Sequence, residues 1–89
     1  MIAQENMEEF TNTVLRVLGA NKNPYGLELR AFPVYLNVYG FHPTGAELEG
    51  RLEYLAMKGM VFEPPKTMGS TRAWKITDAG RLYLDEHNL

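Results

Sequence analysis

Two short apolar runs near the C-terminus, "MVFE" at residues 60–63 and "RAWKI" at residues 72–76, constrain this chain more than any other feature. Both read as strands. The second alternates, with Trp74 and Ile76 on one face. Between them lies a loop with paired prolines and a glycine, and no helix is expected in it. Two strands alone do not make a stable sheet. They must lie on helices, so the rest of the chain has to supply an apolar helical surface.

It does. Residues 4–19 predict a first helix, with Met7, Phe10, Val14, Leu15 and Leu18 on one stripe. Glu5, Glu8 and Glu9 fall early and Arg16 late, the order a helix dipole favours. Gly19 begins the stop and "ANKNPYG" is a turn cluster. In "LELRAFPVYLNVYG", residues Leu27, Leu29, Phe32, Tyr35, Leu36, Val38 and Tyr39 read as core. Pro33 suits a first helical turn or a kink. A helix is expected around residues 33–39, with 27–32 helical or extended.

Thr44 with Glu47 makes a capping-box pattern, opening a helix that runs to about Lys58. Its core face is Leu48, Leu52, Leu55 and Ala56, and Gly59 stops it. After the second strand, Thr77 is an N-cap. A last helix from Asp78 to about His87 is expected to bury Ala79, Leu82 and Tyr83. The fold class is therefore α+β, a small domain with one hairpin, and residues 1–89 fit a single domain.

Composition narrows function. The chain is 45% apolar and 22% charged, ordinary for a globular protein. A net charge of −2 argues against a generally basic nucleic-acid coat. The absence of cysteine removes disulfides, thiolate metal sites and a cysteine nucleophile, and suits a cytoplasmic location. The acidic N-terminus is not a signal peptide. No apolar run approaches the roughly 20 residues that span a bilayer, so no membrane partner is expected. His42 and His87 fall in a turn and at a chain end. No metal-ligand spacing, phosphate loop or nucleophile motif is present. The residues point away from an enzyme, and no cofactor is expected.

The stretches "NPYGLELRA", "PTGAELEGRLEYLAMKGMV" and "TRAWKITDAGRLYL" resemble a winged helix-turn-helix domain. The similarity is to the PadR type of transcriptional regulator and, more loosely, to the multiple-antibiotic-resistance regulator type. It covers roughly residues 10–84. The resemblance implies three helices, a two-stranded wing hairpin and a C-terminal helix. It also implies a small regulator that binds double-stranded DNA, with helix three in the major groove. The family's long dimerisation helices after the wing have no counterpart before Leu89.

On that frame, Arg51, Lys58, Lys66, Thr67, Ser70, Thr71, Arg72 and Lys75 are the candidate DNA contacts. The wing holds no acid between Glu63 and Asp78. With so few cations, DNA binding would have a shallow logarithmic salt slope, on the order of −2 to −4. The outer face of helix three carries Ala46, Glu47, Gly50, Glu53, Tyr54 and Met57, and base reading needs donors that these do not supply. Ala46, Gly50, Tyr54 and Met57 are instead candidate protein contacts. The alternative is therefore an adaptor that binds a protein partner or a second copy through helix three. A positive strip joining helix three to the wing favours DNA, and an acidic or apolar face favours a protein.

Overall fold

The computed structural model describes residues 2–65 and 72–89. The element order is α1 (Met7–Ala20), β1 (Leu27–Glu28), α2 (Phe32–Val38), α3 (Gly45–Met57), β2 (Val61–Phe62), β3 (Ala73–Ile76) and α4 (Asp78–Glu86). Short 3-10 turns at Gln4–Asn6 and Leu29–Ala31 lead into α1 and α2. The radius of gyration is 12.3 Å, against about 12 Å for a compact chain of this length.

A third strand corrects the two-stranded expectation. The sheet order is β1-β3-β2, all antiparallel, with Leu27 opposite Trp74 and Val61 opposite Ile76. The open choice at residues 27–32 resolves as two extended residues and then a 3-10 turn. Pairing on both sides makes β3 the central strand. Its inner residues, Trp74 and Ile76, join Phe10, Val14, Leu15, Leu18, Phe32, Leu36, Leu48, Leu52 and Leu55 in one core. The periodic stripe of α1 thus packs under the sheet and against α2, α3 and α4. Two buried threonines on α1, Thr11 and Thr13, donate to the carbonyls of Met7 and Glu9, so their hydroxyls stay satisfied.

The helix ends follow their sequence signals. Thr44 Oγ1 accepts from Glu47 N at 3.1 Å, and Glu47 Oε1 accepts from Thr44 N at 2.8 Å. The other Glu47 oxygen accepts from Ile2 N at 2.8 Å, tying the buried Ile2 to the start of α3. Pro33 is the second residue of α2, inside the first turn. Thr77 Oγ1 accepts from Gly80 N and donates to the Gly59 carbonyl at 2.6 Å. One hydroxyl thereby joins the end of α3 to the start of α4.

Two core assignments fail for geometric reasons. Helix α2 has seven residues, and only Phe32 and Leu36, one turn apart, reach the core. Tyr35, Val38 and Tyr39 lie on the surface instead, with Val38 83% exposed. On α4 the inward face is Gly80, Tyr83 and Leu84, so Ala79 and Leu82 point outward. Close approach at Gly80 sets that rotation. A Cβ there would collide with the Met60 carbonyl and lie 2.7 Å from Ile76 Cγ1.

Trp74 is 2% exposed on the strand that both sheet edges and α1 depend on. Trp74→Ala is expected to cost about 3–5 kcal/mol in a urea melt; a loss below about 1 kcal/mol would contradict this placement. A second expectation concerns acid. The N–H groups of Thr44, and then of Ile2, hold the Glu47 carboxyl below its ordinary pKa. A depressed carboxyl stabilises the fold above its unfolded pKa, and that contribution is lost as pH falls through the native value. Thermal melts below about pH 5 should therefore decline less steeply for Glu47→Gln than for wild type. Parallel curves would contradict it.

Candidate interaction surface

Helix α3 shows three aspects to solvent and its neighbours. One ridge carries Glu49, Glu53 and Met57 at four-residue steps, so they stand in line about 6 Å apart. At the head of β3, Arg72 reaches this ridge. Its Nε donates to Glu63 Oε1 at 2.6 Å, and Nη1 lies 3.5 Å from Glu49 and 3.6 Å from Glu53. The guanidinium also lies 4.9 Å from the centre of the Trp74 ring. Arg72 is therefore clamped between three carboxylates and an aromatic face. The hydrogen bond to Glu63, followed by the charges of Glu63, Glu49 and Glu53, raises its pKa, with burial opposing.

The second aspect holds the remaining helix-three cations. Arg51 sits 4.6 Å over the Tyr54 ring and Lys58 5.6 Å over it. Arg51 Nη1 also lies 3.4 Å from Thr11 Oγ1 on α1. These groups line a cleft of about 430 Å³ between α1, α3 and the Tyr83 side of α4. Tyr83 donates to Asn12 Oδ1 at 3.1 Å across its floor. Arg51 and Lys58 thus face α1, while Arg72 is on the Glu49 and Glu53 side. The structure does not bring the three cations into one strip.

The third aspect is the outer face. Ala46 and Gly50 are exposed, and a Cβ at Gly50 would meet nothing within 4 Å. Met57 is 80% exposed, and Tyr54 just over a third. All four candidate protein contacts are thus accessible. Lys75 is half-buried on β3 opposite Phe62. The remaining candidates, Lys66, Thr67, Ser70 and Thr71, lie outside the described residues.

The surface that sequence reasoning missed is on α2. Val34, Tyr35, Val38 and Tyr39 form an exposed apolar patch. Beside it a groove of about 390 Å³ opens between α1 and α2, with Arg16 and Lys22 at its edge. Arg16 lies 5.1 Å over the Tyr39 ring. The available signal was Pro33 itself. A helix forced to start there and stopped at Gly40 has room for one inward stripe, which leaves every other large residue outside.

Among the described residues, no helix is long and apolar enough to cross a membrane. Comparison with protein-family models, with curated proteins and with solved structures finds no match.

The Arg72 cluster makes an electrostatic prediction. Arg72→Gln removes the cation that Glu49, Glu53 and Glu63 share. The variant should melt several degrees below wild type at low ionic strength. That gap should narrow in about 1 M salt, where the Debye length is about 3 Å. A gap independent of salt would mean that the cluster contributes no net charge interaction.

Proposed function

We propose that this protein is a binding module of winged-helix type that contacts another protein, and not an enzyme. The order helix, strand, helix, helix, strand, strand, with the first strand pairing the last, supports the winged-helix part of this reading. The resemblance of "TRAWKITDAGRLYL" to a wing strand and its following helix supports it independently.

The observation that carries the protein-contact part is the state of Arg72. On this frame DNA would lie across helix three and the wing. There, three carboxylates surround Arg72, the cation that joins the two elements among the described residues. A phosphate approaching Arg72 must displace Glu63 and pass Glu49 and Glu53, so the site opposes phosphate. The outer face of helix three offers Met57 and the Ala46–Gly50 step, which suit an apolar contact with an acidic rim. The fitting partner is a protein segment with an apolar anchor flanked by basic side chains.

The second reading is a small DNA-binding regulator. It rests on the stretch from Pro64 to Thr77, which contains Lys66, Arg72 and Lys75 and no acid. That stretch supplies positive charge, but among the described residues Arg51 and Lys58 face α1 and do not adjoin Arg72.

Two measurements separate them. Random duplex DNA titrated into the protein at physiological salt should bind more weakly than the usual non-specific range of about 1–100 μM. A photoreactive side chain at position 57 should trap a protein in cells. A nucleic-acid adduct at position 57, or micromolar duplex binding that Arg72→Gln abolishes, would overturn the protein-contact reading.

A further inference from the structure

The groove between α1 and α2 and the ridge of α3 are complementary. The groove is lined by Arg16, Lys22, Tyr35 and Val38, among others, and none of its lining residues is Asp or Glu. The ridge carries Glu49 and Glu53, two acids that share the single guanidinium of Arg72, and ends in Met57, whose side chain stands almost free. One surface is basic, apolar and concave. The other is acidic, convex and tipped by an unbranched apolar side chain able to fill an irregular gap.

We propose that copies of this chain associate head to tail, with the Glu49–Glu53–Met57 ridge of one copy seated in the α1–α2 groove of the next. This names the partner within the protein-contact reading and rests on it. Charge selects this arrangement over a symmetric one. Groove against groove would set Arg16 and Lys22 opposite their own copies. Ridge against ridge would do the same with Glu49 and Glu53. Like charges facing across an interface oppose association, and only the head-to-tail pairing puts opposite signs in contact. The two surfaces share no residue, so one copy can use both at once. Repetition of such a contact gives a ring if the rotation closes and a filament if it does not.

The test uses two substitutions at exposed positions that leave the core untouched. Val38→Glu places an acid in the groove, and Met57→Ser removes the apolar tip of the ridge. Circular dichroism and melting temperature of both variants should match wild type. In sedimentation velocity at low salt, wild type should form species larger than a monomer that grow with concentration and shrink as salt is added. Each variant alone should associate at least about tenfold more weakly. Mixed in equal amounts, they should form a 1:1 dimer and nothing larger, because each keeps one working surface. A wild type that is monomeric at every concentration would overturn the proposal. So would a dimer that survives both substitutions, or a mixture that stays monomeric. If self-association fails while position 57 still traps a different protein, the protein-contact reading stands and only the identity of the partner changes.

Discussion

Burial of Trp74 from the middle of a three-stranded sheet is the constraint on which the other elements depend. Strand β3 pairs β1 on one side and β2 on the other, and its inner face closes over α1. The neighbouring strands contribute two residues each, too few to persist without that central strand. The indole Nε1 has no hydrogen-bond partner among the described residues, and the ring is held by apolar packing and by the Arg72 guanidinium against its face. Above it, Arg72 uses the outer ring face as a platform and gathers carboxylates from α3 and from the residue after β2. The residues that close the core therefore also decide the charge of the surface beside helix three.

That coupling explains why the interaction surface reads differently from its sequence. Counted along the chain, the stretch after Glu63 is basic, and helix three with its end holds both signs. In space, Arg72 is turned back onto three acids from two segments, and Arg51 and Lys58 are drawn to Tyr54 and α1. A sum of charges over a segment says little about a surface that several segments share. The α2 patch and the Arg16–Lys22 groove add an apolar, basic face that shares no residue with helix three.

Much of the fold was legible because local physics set it. The apolar stripe of α1, the Thr44–Glu47 capping box, the Gly59 stop and the alternation of Trp74 and Ile76 each specify their own structure within a few residues. Strand β1 was not legible, because two residues carry no period and their partner, Trp74, lies 47 positions away. The facing of α4 was hidden for a related reason. Its rotation follows from contact between Gly80 and the Met60 carbonyl, which no helical wheel contains. Of the candidate site, the exposure of Ala46, Gly50, Tyr54 and Met57 followed from helical periodicity. The engagement of Arg72 did not, since its partners, Glu49, Glu53 and Glu63, come from other elements.

An Arg72 committed to the carboxylates around it is not available to a phosphate. Proton–nitrogen correlation of the arginine side chains at neutral pH tests it most directly. Arg72 should give a resolved, slowly exchanging Nε–H signal with cross-peaks to the Trp74 ring, and that signal should merge with the other arginine signals in Glu63→Gln. An Arg72 signal averaged at the position of free arginine in the wild type, with no contact to Trp74, would contradict it.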